Sequence, residues 1–589
     1  MKKIFNISIL AIAALLTVSC NKFLTKDTIA SLNSDTFFAD ETALQLYANS
    51  FMQNMMPAAA DIAESNDSYT DVCATRNGLN MFTTVWTSSS QTGWAYSNWT
   101  NLYRCNYFIQ HMGKAKGVSE AKMKHYEGIA RFWRAFFYFY KMRTFGDVPW
   151  YDKPIDQADS MALYKARDSR EVIAKHILED LDFAAANCEE NINTQQADKW
   201  KALAYKARFC LYEGTYRKYH KVNPSTGKAW SADESAFYLQ ECVKACETII
   251  KESPFKLNEN VSQTFYRSLF TSESVNRTEV IWEREYNKDL NFGHEVNWNF
   301  WNQNSQRWSM TRIMADMYLK LDGTRYTETK NYGKDLFPEE VADRDYRMAQ
   351  TIICPGYIRS LSGIPGLYPP NAYGTITGYQ IIKYCYDDDA HMNGYNANCI
   401  PILRLAEVLL NYAEASCELN NGTLSDDIWN ITIRPLRVRA GVVGSKPAKI
   451  DQKLADYYGI TSSDLVEIRR ERAVELFMED SRWNDLMRWH QGQHCVEPWE
   501  GIYIPGENIK MDLNADGIMD TVYGTGKEDG IAYFDPTQST AYRLSGNPDG
   551  RLLYILPVNK WEDKMYMRPI PHTANSINPA LGQNSGWTD

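Results

Sequence analysis

Three stretches of the chain gather residues that could do chemistry. The first is NWNFWNQNSQRW, residues 297–308, where Trp298, Trp301 and Trp308 stand among amides. A pyranose has apolar C–H faces and a hydroxyl rim. A flat indole covers such a face, and Asn, Gln, Asp or Arg satisfies the rim. Asn302, Gln303 and Arg307 lie beside those rings, and a second aromatic segment, TVWTSSSQTGWAY, supplies Trp86 and Trp94. Neither segment has a core-like period, so both read as loops; Asn66 and Asp67 complete the polar candidates. Covering one Trp-sized face of ~60–80 Å² is worth roughly 1.5–2 kcal/mol. Three faces, less the cost of ordering a ligand, give ~4–8 kcal/mol, a micromolar-to-millimolar affinity.

The second stretch is EIRRERAVELFMED, residues 467–480. Glu467, Glu471, Glu475 and Glu479 recur every fourth position, interleaved with Arg469, Arg470 and Arg472 and followed by Arg482. Paired carboxylates serve glycosidases as acid and base, but on a helix this alternation is explained more simply by ion pairs within and between helices. No GxSxG, HExxH or P-loop occurs, and the nine histidines show no ligand spacing. No step of a catalytic argument can be completed from these residues.

The third stretch is MDLNADGIMD, residues 511–520. Asp512, Asn514, Asp516, Gly517 and Asp520 match positions 1, 3, 5, 6 and 9 of a calcium loop, with the Ile518 carbonyl at position 7. Position 12 is Tyr523 and not glutamate. Two readings fit: an Asp/Asn/Gly-rich turn, or a weak structural calcium of ~10⁻⁴–10⁻³ M affinity. No other cofactor is called for.

These stretches must be held by something, and the rest of the chain is helical blocks separated by long irregular ones. The blocks at 38–55, 98–112, 127–150, 169–188, 197–219, 235–252, 402–420 and 463–490 carry apolar residues at helical spacing. The block at 127–150 is apolar all round, so it reads as buried on most faces, with Gly146 placed to end it. In 402–420, Ile402, Leu405, Ala406, Leu409 and Ala413 form an apolar face with Arg404, Glu407 and Glu414 opposite. Trp99 and Tyr103 fall in the 98–112 helix and read as core, as do Trp133, Trp200, Trp483 and Trp489. Residues 253–400 and 491–589, rich in Gly, Pro, Asn, Asp and Tyr, read as ordered loops with short strands; Trp282 belongs to a buried EVIWE strand.

The chain opens MKKIFNISILAIAALLTVSC, a basic start, an apolar run and a small residue before Cys20. This reads as a signal peptide over 1–19, with acylation at Cys20 anchoring the mature protein to a membrane. No later apolar run is long enough to span a bilayer. The formal charge of −10, becoming −12 once the two lysines of 1–19 are removed, argues against nucleic acid as a partner. Eleven cysteines follow Cys20 without a CxxC, which suits buried free thiols and not zinc or a disulfide framework.

With these segments in view, the chain resembles the SusD/RagB family of outer-membrane lipoproteins. RFWRAFFYFYKMRTFGDVPW, KWKALAYKARFCLYEG, EVIWE and RIMADMYLKLDGTRY with RDYRMAQTIICPG follow that family's pattern. So do RLAEVLLNYAEA, IRPLRVRAG, IRRERAVELFMEDSRWNDLMRW and the tail YMRPIPHTANSINPALGQNSGW, all in the right order. Ser585 and Trp587 depart from the usual proline and tyrosine. The resemblance implies a mainly α fold: four TPR-like helical hairpins, about 38–252 and 401–490, plus an irregular loop-rich subdomain with short strands, in a single domain over 20–589. It implies a surface lipoprotein that captures an oligosaccharide and delivers it to a SusC-like TonB-dependent transporter. A peptide-binding member of RagB type and a TPR-like envelope adaptor are the alternatives. It implies that such proteins bind and do not catalyse, with a glycan site built from loops in the regions of residues 84–96 and 297–308.

Overall fold

The computed structural model describes residues 37–156, 158–390 and 396–588. The expected leader and Cys20 lie outside them. Nine main helices carry the scaffold: α1 (Glu41–Met55), α2 (Thr100–His111), α3 (Glu120–Phe145), α4 (Arg170–Asn187) and α5 (Lys199–Tyr219). α6 (Ser235–Glu252), α7 (Leu405–Leu419), α8 (Ser463–Glu475) and α9 (Arg482–Arg488) complete it. Their starts follow from local chemistry. Asp40, Ser119, Ser169, Asp198 and Ser462 each accept a backbone N–H of the first turn, which satisfies donors that a helix start leaves open.

Helices pack as four TPR-like hairpins, α1/α2, α3/α4, α5/α6 and α7/α8, with α6 also against α7. α3 is buried along most of its length, and Gly146 ends it at φ 73°, a conformation glycine adopts without strain. Gly214 lets α5 approach α6: a Cβ there would meet Leu239 Cγ at 2.8 Å.

The irregular half is pinned by small sheets. Strand β1 (Val280–Arg284) pairs antiparallel with β2 (Ile400–Arg404), with Val280 opposite Arg404 and Arg284 opposite Ile400. Trp282 of β1 plugs into α3, its ring 5.7 Å from both Phe132 and Trp133, and its Nε1 donates to the Gln195 carbonyl. Cys73–Ala74 pairs antiparallel with Ser309–Met310 and so ties the segment after α1 to the end of 297–308. The 358–361 and 364–367 strands form a hairpin. Two three-stranded sheets order the C-terminal loops. All eleven cysteines in the described residues are buried free thiols.

The polar side of the 402–420 block does not face water. Arg404, Glu407 and Glu414 are all buried, because the helix is enclosed and its charges pair with other elements. The 467–480 series shows the same logic. Glu475 sits at the end of α8 and receives Arg347 at 2.8 Å, Arg404 at 2.9 Å and Arg439 at 2.5 Å. Glu279 of the β1 entry bridges Arg404 and Arg439, and Glu479 takes Arg404 and Lys383. Glu467 and Glu471 hold Arg437. The expected ion pairs are present, but they run mainly between elements, and the helix stops at Glu475. Met478 and Asp480 have positive φ, which breaks the segment before α9. Arg469 departs from the expectation, having no carboxylate partner among the described residues.

Burial alone would push the Glu475 carboxyl up, yet Arg439, Arg404 and Arg347 outweigh it and pull it down to about 2. A depressed carboxyl contributes stability that is fully present above its unfolded value of about 4.3 and lost as pH falls toward the folded value. Acid denaturation should therefore draw on this group between about pH 4.5 and pH 2. Glu475→Gln should lower unfolding stability by about 3–5 kcal/mol in chemical denaturation at pH 7, since it leaves buried guanidiniums short of a counter-charge. A loss under about 1 kcal/mol would show the network to be dispensable.

Candidate functional site

A cleft of about 1010 Å³ opens between the loop before α2, the outer face of α2, the 149–156 turn and the C-terminal 573–581 segment. Its base is aromatic. Trp94 and Trp99 meet edge to face at 5.3 Å, Trp94 rests on Phe145 at 5.0 Å, and Trp99 on Phe137 at 5.6 Å. Along α2, Tyr103, Tyr107 and His111 recur every fourth residue. Tyr103 and Tyr107 stack at 5.7 Å, and Tyr107 lies 4.3 Å from His111. Tyr96 is 80% exposed and Tyr103 43% exposed, so their rings are open to a ligand.

Local sequence explains the placement. Leu102, Cys105 and Phe108 form the buried stripe of α2, so residues 103, 107 and 111 fall on another face. Gly93, at φ 95°, turns the chain into Trp94. Lys141 of α3 donates to the Gly93 carbonyl at 2.7 Å and lies 4.9 Å from the Trp99 ring centroid. It is 2% exposed, and burial lowers its amine to about 8. This lysine buttresses the groove from behind. The rim is polar and solvated: Gln110, Lys153, Asp156 and Thr573 are exposed. Asn106 also lines the cleft, but its amide is engaged by Arg134 and the Tyr151 carbonyl.

The expected site residues are not gathered in one place. Trp94 lies in the groove. Trp86 packs with Phe82 and Met81 near Arg568, its Nε1 donating to Gln91. Asn66 is exposed, but Asp67 is 0% exposed and both its oxygens accept backbone N–H groups, of Ser481 and Trp483. Burial, then the neighbouring Asp480, pushes its carboxyl up. Asp67 is therefore a structural cap and not a ligand rim.

The 297–308 segment folds inward. Trp301 is covered by Arg359 at 3.5 Å and Tyr368, and Trp308 stacks on Phe300 at 5.0 Å; both are buried. These two indoles cannot serve as a platform, because their faces are already packed. Trp298 is half-buried and Gln303 exposed. The Asn302 side chain accepts the Asn304 N–H, and Arg307 donates to the Gln303 carbonyl. The amides that looked like a sugar rim largely shape their own turn.

Sequence reasoning assigned Trp99 and Tyr103 to the core and left out Tyr96, Tyr107 and Tyr151. The signal that could have found Tyr107 is the second stripe on α2, Tyr103, Tyr107 and His111 at four-residue spacing beside the buried stripe of Leu102, Cys105 and Phe108; Tyr96 and Tyr151 lie off that helix.

The 511–520 loop has the turn geometry of a cation loop. Ala515 and Gly517 have positive φ, the Gly517 N–H donates to Asp512 at 2.7 Å, and the Ile518 N–H donates to Asp516 at 2.8 Å. Burial raises the Asp520 carboxyl, with Asp512 and Asp516 adding to it. No ready-made group of three metal-ligating side chains exists among the described residues. The residues fit a cation by type and by turn, and not as a preformed cage.

Residues 278–587, more than half the chain, match the sequence profile of the SusD family. The chain belongs to the SusD family. Residues 37–225 match a second, SusD-like profile described as starch-binding and associating with the outer membrane. Among relatives, this SusD-family chain is 27% identical over 383 residues to a SusD-like protein of Bacteroides ovatus, covering 63% of this chain and 60% of that protein. It is 23% identical over 491 residues to SusD-like protein P2 of Formosa agariphila, covering 80% and 83%. Against SusD-like protein P25 of that organism it spans about half of either chain, 49% and 53%, at 23% identity. Its fold matches a SusD-like protein of Bacteroides fragilis with a TM-score of 0.69 at 19% identity, over 95% of this chain and 100% of that one. A SusD-like carbohydrate-binding protein of the same species gives 0.66 at 20% identity, over 93% and 100%. The expected mainly α, SusD-like architecture is thereby shown. No helix among the described residues is long and apolar enough to cross a membrane.

The inward placement of 297–308 gives a direct check. Trp301→Ala and Trp308→Ala should each cost about 3–5 kcal/mol of stability, as large core deletions do, whereas Tyr103→Ala should change it by no more than about 0.5 kcal/mol. Denaturant melts of the three variants would show it. Equal small losses would return the two tryptophans to the surface.

Proposed function

We propose that this protein binds an oligosaccharide in the Trp94–Trp99–Tyr103 groove and passes it to a SusC-like TonB-dependent transporter, held at the outer membrane by lipid on Cys20. The observation that carries the proposal is the aromatic groove itself. It offers Tyr96 and Tyr103 as open ring faces, a base of paired indoles, and a solvated polar rim for sugar hydroxyls. Its volume of about 1010 Å³ suits several sugar units. Two solved relatives in fold support a carbohydrate over a peptide: one is described as a SusD-like carbohydrate-binding protein and another, from Bacteroides fluxus, as a surface glycan-binding protein. Binding without catalysis suits the buried glutamates of 467–479, each of which faces an arginine.

Titration with a panel of soluble polysaccharides should quench or shift tryptophan emission, with a dissociation constant in the micromolar-to-millimolar range. Tyr103→Ala or Trp99→Ala should weaken that binding about tenfold, the equivalent of roughly 1.4 kcal/mol and close to one sugar face. Binding of peptides and no panel glycan would favour the RagB-like alternative. Binding of neither, with retained capture by the transporter, would leave the adaptor reading.

The 511–520 loop is proposed to take up calcium weakly through Asp512, Asn514, Asp516, the Ile518 carbonyl and Asp520, which would relieve repulsion among the three carboxylates. Millimolar CaCl₂ should raise the melting temperature of the wild type and not of Asp512→Asn/Asp516→Asn. A calorimetric titration without heat, together with an unchanged melting temperature, counts against it.

A further inference from the structure

The ion-pair network of α8 and α9 leaves one guanidinium over. Arg469 is 0% exposed, and its Nε, Nη1 and Nη2 all lack a hydrogen-bond acceptor among the described residues. Its Cζ lies 4.3 Å from the Trp489 ring centroid, 5.2 Å from Tyr458 and 5.3 Å from Tyr219. Aromatic rings stabilise a cation through their electron-rich faces, but they supply no lone pair to its in-plane N–H donors. Arg482 lies over two of these three rings, 5.5 Å from Tyr458 and 5.8 Å from Trp489, and its Nη1 is also without an acceptor among the described residues.

Charge points the same way. Four buried guanidiniums, of Arg469, Arg472, Arg482 and Arg488, surround this spot. The carboxylates they reach are three: Asp71 on Arg482, and Glu414 and Asp485 on Arg472 and Arg488. One positive charge is left over in a low-dielectric interior, where an uncompensated charge and its unmade hydrogen bonds are both costly.

We propose that the Arg469 guanidinium, with Arg482 beside it, binds a small monatomic anion of the chloride class inside the Tyr219–Tyr458–Trp489 cage. Full burial restricts the ligand to a compact ion, and the anion neutralises the surplus charge where α8 and α9 meet α5. The site is independent of the glycan groove and holds whichever ligand the groove takes.

Bromide serves as the probe. Crystals of the full protein soaked in sodium bromide should show an anomalous peak within about 3.5 Å of the Arg469 guanidinium, the contact range of an N–H donor and a large anion. In solution, replacing sodium gluconate by sodium chloride at constant ionic strength should raise the wild-type melting temperature and leave that of Arg469→Met unchanged. Ordered water without anomalous signal at Arg469, or an equal chloride response in both proteins, would overturn the proposal. If Arg469→Met does not fold, the bromide map of the wild type decides alone.

Discussion

Glu475 is the residue on which the two halves of this fold meet. It closes α8, and the three arginines on its carboxylate come from three other segments: Arg404 from the strand β2, Arg439 from the end of the 433–439 helix and Arg347 from the 346–351 helix. Glu279 also binds Arg404 and Arg439, and Glu479 also binds Arg404. Such a network is no guarantee of net stability, since each ion had to leave water. What it supplies is geometry. A shift of any one segment would separate a buried charge from its partner. The loops of 253–400 have little secondary structure of their own, and this cluster fixes where they lie relative to the helices.

The groove depends on a different constraint. α3 is enclosed by α1, α2 and α4, and its aromatic and lysine side chains back the Trp94–Trp99 loop. Phe137 and Phe145 support the indoles from beneath, and Lys141 holds Gly93 in place. The ring faces are thus set by a rigid helix, while the ligand side is left to solvent-facing residues of α2. That division suits the proposed capture of an oligosaccharide, because a preformed platform loses little entropy on binding. A modest number of faces keeps the affinity low enough for release.

Much of the fold was legible in the sequence. Helical spacing and Gly146 mark most of the scaffold helices within about three residues, since these signals are local, but the 127–150 block misses the start at Glu120 and the 463–490 block is two helices. The partition between core and site was harder. Trp301 and Trp308 sit in an amide-rich stretch that composition assigns to a solvated loop, but the Cys73–Ala74 pairing and Arg359 draw the stretch inward. Tyr103 sits in a helix that composition assigns to the core, but the neighbouring stripe of Leu102, Cys105 and Phe108 takes the buried face. In both cases a long-range contact decides which side of an element is covered, and no local pattern reports it. The glutamate–arginine series shows the same limit: its spacing announced ion pairs but not their partners in distant segments, nor that Arg469 would have none.

The proposed function places ligand recognition in the α2 groove and not in the 297–308 segment. Hydrogen–deuterium exchange with and without the panel glycan that quenches tryptophan emission tests this directly. Slowed exchange is expected in residues 93–111 and 573–581, with 297–308 unchanged. Protection confined to 297–308, with the groove unaffected, would contradict it.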